Sequence, residues 1–222
     1  MENRAIGAAV IADIVGSKHL TNRAEANRAL KSAFATVNRL LRPVQPWTQT
    51  VGDEAQALYQ TPASALRATL LLRLVLPASI QCRFGIGIGR YEVFEPHRDV
   101  VLQDGPAWWA ARQSILQAKE RESRRSPTLR TWYEVLERDI AAQQPPADLM
   151  NAYLLCRDQI VGDMSDRSRK LLFDLMLGKT QAAIARDQKI SQAAVSQRLK
   201  NDGAHSVLAS IELLEKGVLE WR

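Results

Sequence analysis

Residues Gly7–Val15 read GAAVIADIV. This apolar, β-branched run, closed by Gly16 and Ser17, predicts a buried strand that ends in a turn. Asp13 lies near its end, where a carboxylate is costly unless it is paired or bound to a metal. Outward from this strand, Asn22–Leu41 predicts a helix with Leu30, Phe34, Val37 and Leu41 on one stripe, stopped by Pro43 and Pro46. Trp47–Val51 and Ala55–Tyr59 predict short strands around the hairpin signal Gly52-Asp53-Glu54. Pro62–Leu76 predicts a mostly buried helix, Ile80–Gly89 a strand, and Val100–Leu102 another strand. A helix is expected from about Gly105 to Arg121, and Thr128–Tyr133 adds a last strand. Strands alternating with long helices argue for an α/β layer.

The chain has 222 residues and a formal net charge of +6, with a pI of about 9.6, which favours a polyanionic partner. Cys82 and Cys156 stand apart with no metal-ligand spacing, which fits a reducing compartment and no disulfide framework. Asp13 interrupts the N-terminal apolar run and no cleavage site follows it, which argues against a signal peptide. Leu66–Leu76 carries Arg67 and Arg73 and is too short to span a bilayer. These features imply a cytoplasmic protein with no membrane partner.

If the strands holding Asp13 and Asp53 are neighbours, two carboxylates meet at one sheet edge. That is a hard oxygen site suited to magnesium or manganese, ions that commonly hold nucleotide phosphates. The competing readings are a turn aspartate at position 53 and a strand-end carboxylate bonded to amides at position 13. Gly85, Gly87 and Gly89 alternate with Ile86 and Ile88, which favours a strand with close backbone approach over a phosphate loop. Trp108 and Trp109 are candidates for stacking on a purine, but core packing of one and exposure of the other is the commoner arrangement.

The alanine- and proline-bearing stretch 141–148 marks a boundary, dividing the chain into residues 1–141 and a helical part, 142–222. In the second part, Leu149–Val161 and Asp166–Leu177 predict helices, and Gly178 ends the latter. Gln181–Lys200, QAAIARDQKISQAAVSQRLK, reads as two short helices around a tight turn, with Ser191 capping the second. Lys189 falls where such turns usually carry glycine, so it is expected in a left-handed conformation. Val195 and Leu199 face inward. Gln192, Ala193, Ser196 and Gln197 form a polar face suited to base edges in a major groove, and Ser191, Arg198 and Lys200 are candidates for phosphate contacts. This pattern resembles a helix-turn-helix, within about residues 165–203. Eight basic and four acidic residues fall between Ser165 and Gly203, a net +4. A structural helix pair that never meets nucleic acid is the alternative. Val207–Trp221 predicts a closing helix for packing or dimer formation.

ADIVGS, VGDEAQALY, RFGIGIG and DGPAWWAAR follow one another in the order and approximate spacing of the class III nucleotide cyclase catalytic fold, over about Ala5–Lys119. Diguanylate cyclases have a similar Gly-Asp-Glu hairpin. The resemblance implies a ferredoxin-like sheet with helices. It also implies a magnesium or manganese ion with a nucleotide at Asp13 and Asp53, beside the Ile14 carbonyl, and, if the chain is an enzyme, Arg112 as the catalytic arginine that steadies the transition state. It departs at Trp108, where cyclases carry asparagine, and no base-selecting lysine is apparent in Gln56–Tyr59. With its terminal helix pair the whole chain resembles the SatD family. Two functional expectations follow. One is a DNA-binding transcriptional regulator, acting as a homodimer on double-stranded DNA, with a degenerate cyclase-like domain as sensor. The other is a metal-dependent nucleotidyl cyclase or related nucleotide-processing enzyme.

Overall fold

The structure, a computed structural model, describes residues 5–17, 22–50, 52–93, 103–123 and 125–217. The strand expected at Val100–Leu102, and Leu219 and Trp221 of the expected closing helix, lie outside these residues. The first half runs β1 (Ala5–Ile14), α1 (Arg23–Leu41), β2 (Gln45–Gln49), β3 (Ala55–Tyr59), α2 (Pro62–Val75) and β4 (Cys82–Val93). Then come β5 (Gln103–Asp104), α3 (Pro106–Arg121), β6 (Thr131–Val135) and α4 (Arg138–Ala141). Five helices follow: α5 (Ala147–Asp163), α6 (Asp166–Met176), α7 (Gln181–Gln188), α8 (Gln192–Asn201) and α9 (Ala204–Gly217).

The strand order is β2-β3-β1-β4, with β5 and β6 both pairing onto β4. A βαββαβ chain arranged in this order is the ferredoxin-like split βαβ. β1 is central, antiparallel to both β3 and β4, and β6 runs parallel to β4 from Phe84 to Ile88. Pro46 sits in β2, at the sheet edge, where a missing amide is tolerated. Asn22 caps α1 by accepting from the Glu25 amide, and Arg42 ends it in the left-handed region at φ 46°.

The pleat of β1 divides the core. Ala8, Val10 and Ala12 enter the large core with α1 and α2, whereas Ala9 and Ile11 pack under α3 with Leu58, Trp108, Ala111 and Ile115. The close packing of α3 has a direct cause in β4. Gly85 and Gly87 present bare backbone to the helix, so closely that a Cβ on Gly87 would lie 2.0 Å from the Ala111 nitrogen and 2.2 Å from the Ala107 oxygen. Alanines at 107, 110 and 111 on the helix complete this contact.

α2 is apolar almost all round, which marks an enclosed helix; only Ser64, Arg67 and Val75 escape burial. One side meets the sheet and the other meets α6 and α9. Its few polar groups are tied to the second half. Arg67 bonds Glu215 on α9 and the Met176 carbonyl, and Arg73 bonds Asp158 on α5 at 2.6 Å. Residues of β1, β3, β4 and α1 therefore share one continuous core with Leu154, Leu171, Ile184, Val195, Leu199 and Ile211. A separate all-α helix-turn-helix domain is thus not shown: α6 and α9 turn apolar surface onto α2.

α5 closes the edge left by β6, whose unpaired amides would otherwise be open to other strands. The Asn151 side chain accepts from the Tyr133 amide and donates to its carbonyl, at 2.8 and 3.0 Å. About two turns further on, Asp158 accepts from the amides of Arg130 and Thr131 at 2.7 and 2.6 Å. Arg157 directs its bonds to the same carboxylate and to Thr131.

Candidate functional site

Ala12 and Ala55 are the last cross-strand pair of β1 and β3, so Asp13, one residue on, comes level with the Gly52-Asp53-Glu54 turn. That turn needs Gly52 at φ +69°, and it is closed by the Thr50 amide donating to the Glu54 carbonyl at 2.9 Å. On the other flank of β1, Arg83 is the cross-strand partner of Asp13. Asp13 Oδ1 is buried without a hydrogen-bond partner among the described residues. Burial pushes the Asp13 carboxyl above its ordinary range; the Arg83 guanidinium opposes that shift, and the negative charges of Asp53 and Glu54 add to it. A buried carboxylate oxygen with no donor is rare enough to need an explanation.

Ile14 and Asp53 line a cavity of about 340 Å³ that runs from the end of β1 to the start of α1, and Ser17, Arg23, Asn27 and Gln49 supply its polar wall. Gln49 is held by its side-chain amide, which donates to Asn27 at 2.6 Å. The donors at this corner, two carboxylates and the Ile14 carbonyl, are all oxygen. With the orphaned Asp13 oxygen, they fit a hard divalent cation such as magnesium or manganese. Among the described residues, no group of three or more His, Cys, Asp or Glu side chains gathers as a metal cage, so an ion here would keep part of its shell for water or a ligand.

Arg112 lies on α3, and its guanidinium grips Glu54 with two bonds of 2.5 and 2.7 Å. This pairing holds the Glu54 carboxyl below its ordinary range against the opposing effect of burial. The expected catalytic arginine therefore stands next to the residue that follows Asp53. Trp108, one turn before it, is 8% exposed and packs on Ala9, Ile11 and Leu58. Trp109 is 57% exposed and donates its indole N–H to Asp104 at 2.8 Å. The position at which cyclases carry asparagine is thus filled by a core side chain. Sequence reasoning missed Glu54, Arg83 and Glu122 around Asp13. Glu54 stood in the quoted hairpin, but the other two required the strand register and the end point of α3.

Ser191, Gln192, Ala193, Ser196, Gln197, Arg198 and Lys200 are all exposed on and before α8. Lys189 adopts the left-handed conformation at φ 53°. Ser191 Oγ is committed to its own helix, accepting from the Ala194 amide, and the Gln197 side chain donates to Asn201 at 2.8 Å. None of these residues meets Asp13, Asp53 or Arg112.

A ferredoxin-like sheet of order β2-β3-β1-β4 with helices packed on both its faces defines an α/β protein, with an aspartate at the end of its central strand and a second in the neighbouring hairpin. The model of the SatD family matches residues 7–211, and the chain belongs to that family. Among solved structures, it is similar to a bacterial light-regulated adenylyl cyclase, at 12% identity and a TM-score of 0.45 over 58% of this chain and 75% of that one. It is similar to the guanylyl cyclase Cya2, at 17% identity and a TM-score of 0.41 over 52% and 71%. It is also similar to the adenylyl cyclase CyaB from P. aeruginosa, at 17% identity and a TM-score of 0.39 over 50% and 70%. No curated protein matches the sequence. Likenesses this distant leave the activity to be argued from the residues of this chain.

These findings correct the expectation of a DNA-binding transcriptional regulator with double-stranded DNA as its partner. The family match runs through the sheet and the helices together, from residue 7 to residue 211, and no finding supports a nucleic-acid partner. The physical reason is that a short, capped helix pair whose inward Ile184, Val195 and Leu199 are buried against its neighbours α6 and α9 is accounted for by packing alone. Among the described residues no helix is long and apolar enough to cross a membrane.

Proposed function

We propose that this protein is a metal-dependent nucleotide-processing enzyme, a nucleotidyl cyclase or a close chemical relative. The observation that supports this most is the buried, unpartnered Oδ1 of Asp13, next in the chain to Ile14, which lines a cavity together with Asp53. In this reading Asp13, Asp53 and the Ile14 carbonyl would hold one magnesium or manganese ion, which would supply positive charge to the triphosphate. Ser17, Arg23 and Asn27 lie along the cavity wall, placed to bind the outer phosphates, near the N-terminus of α1, where backbone amides and the helix dipole favour anions. Arg112 offers its guanidinium to the charge that develops on the transferred phosphoryl group, once its grip on Glu54 is shared with the substrate. Trp108 packs into the core with its indole N–H buried and offers no side-chain amide to orient a sugar hydroxyl, so slow turnover is part of the reading: one missing positioned donor typically costs about 100-fold or more.

The test is incubation with ATP or GTP and manganese, followed by mass analysis of the products. The expected result is a slow conversion by the wild type that falls by about 100-fold or more in Asp13→Ala. No product from the wild type with either nucleotide contradicts the enzymatic reading.

A further inference from the structure

We infer that Glu122 is a positioning residue for the ion site: it clamps Arg83 to the end of α3, keeps that guanidinium from closing onto Asp13, and so leaves the Asp13 carboxylate free to take a divalent cation. The inference rests on the assignment of Asp13 and Asp53 given above.

Arg83 and Asp13 stand directly opposite each other on β4 and β1. Opposite charges placed that way on one face of a sheet ordinarily pair. Here they do not close. Arg83 Nε donates to Glu122 Oε2 at 2.7 Å, and one terminal nitrogen lies 2.5 Å from the same carboxylate. The other terminal nitrogen stops 3.7 Å from Asp13 Oδ2, too far for a hydrogen bond.

Glu122 is itself held from three directions. Its amide donates to the Ala118 carbonyl as α3 ends. Its second oxygen accepts from Arg130 at 2.9 Å, and Arg130 is fixed in turn on the Leu129 carbonyl at 2.7 Å. Arg83, Glu122 and Arg130 are each more than four-fifths buried along their side chains. In so shielded a place a charged bond is strong and the alternative pairings compete directly.

The result is a tethered charge. Arg83 lies near enough to ease the cost of an ionised Asp13, yet it donates no hydrogen bond that an arriving cation would have to break. Without the Glu122 carboxylate, the same guanidinium is free to swing across the strand pair and form a direct bridge to Asp13. It would then compete with the ion for the same oxygens and add its own repulsion to a divalent cation.

The experiment titrates manganese alone into the full chain, by calorimetry, for wild type, Glu122→Ala, Arg83→Gln and the double variant. Each is accompanied by a metal-free thermal midpoint. Glu122→Ala is expected to weaken manganese binding by about tenfold, the scale on which residues behind metal ligands act. Arg83→Gln does not weaken it, and the double variant regains wild-type affinity. A purely structural role for Glu122 would lower the midpoint and leave the double variant as weak as the single one. If Glu122→Ala does not fold, Glu122→Gln is expected to weaken binding in the same direction. Wild-type affinity in the Glu122 variants, or failure of Arg83→Gln to rescue them, overturns the inference alone. A wild type that takes up no manganese overturns the ion site and the inference with it.

Discussion

Gly87→Ala is expected to destabilise the protein by about 3 kcal/mol or more, at the upper end of what overpacking a core costs. Alanine would ordinarily favour the folded chain here by reducing the freedom of the unfolded one, by about 0.4–1 kcal/mol. That gain is overwhelmed because the new methyl would lie 2.0 Å from the Ala111 nitrogen and 2.6 Å from the Ala110 carbonyl carbon. Both atoms belong to the backbone of α3 and cannot rotate aside, so the helix must lift from the sheet. Ile88→Val, on the opposite face of the same strand, is fully buried and removes only one methyl, a cost of about 1 kcal/mol. Thermal melts decide between them. For a chain of this size the Gly87→Ala variant is expected to lose about 10 °C, and equal midpoints for the two variants would contradict the packing of α3.

Asp158→Asn carries the second large effect. The carboxylate meets Arg73 at 2.6 Å and Arg157 at 2.8 Å, and it also accepts the Arg130 and Thr131 amides. Breaking a buried pair strands the remaining charge at a cost of about 3–5 kcal/mol. Here two guanidiniums, 4% and 1% exposed, would be left without their anion. Burial alone would raise the pKa of Asp158. Arg73 and Arg157 outweigh it, with further help from the Arg130 amide, and the net displacement is downward. A carboxyl lowered on folding stabilises fully above its unfolded pKa, near about 3.9. That stability drains away as pH falls through the folded value. Urea midpoints from pH 7 down to pH 3 should therefore fall for the wild type at the acid end. The Asp158→Asn variant should start lower and lose less over the same interval. Parallel curves for the two proteins would show that Asp158 is not the charged centre of this network.

How legible these features were depends on where their cause lies. β1, α1 and α2 follow from local patterns: the run Gly7–Val15, the stripe of Leu30, Phe34 and Val37, and the nearly unbroken apolar surface of α2. The glycine alternation at 85, 87 and 89 pointed to the strand, and the structure adds the reason for it, a helix lying on bare backbone. α5 was harder to read, because its buried face mixes Met150, Leu154 and Val161 with polar side chains. Asn151, Arg157 and Asp158 point inward to serve the edge of β6, while Leu149 and Leu155 are left exposed. The neighbours of Asp13 were invisible for another reason. Arg83 and Glu122 are 39 residues apart in sequence and meet only through strand register and the length of α3. The stretch Gln181–Lys200 shows the opposite error. Its caps, its turn and its inward Val195 and Leu199 were read correctly as local structure, but the same spacing serves packing against the neighbouring α6 and α9 as well as any groove.

The central claim is that Asp13 and Asp53 hold one divalent ion on the phosphates of a nucleotide. The most direct measurement is calorimetric titration of ATP and of GTP into the wild type and into Asp53→Ala, with and without manganese. The account predicts nucleotide binding by the wild type that strengthens with manganese, and loss of that dependence in Asp53→Ala with the metal-free thermal midpoint unchanged. Binding that ignores manganese, or a manganese effect that survives the loss of the Asp53 carboxylate, would contradict it.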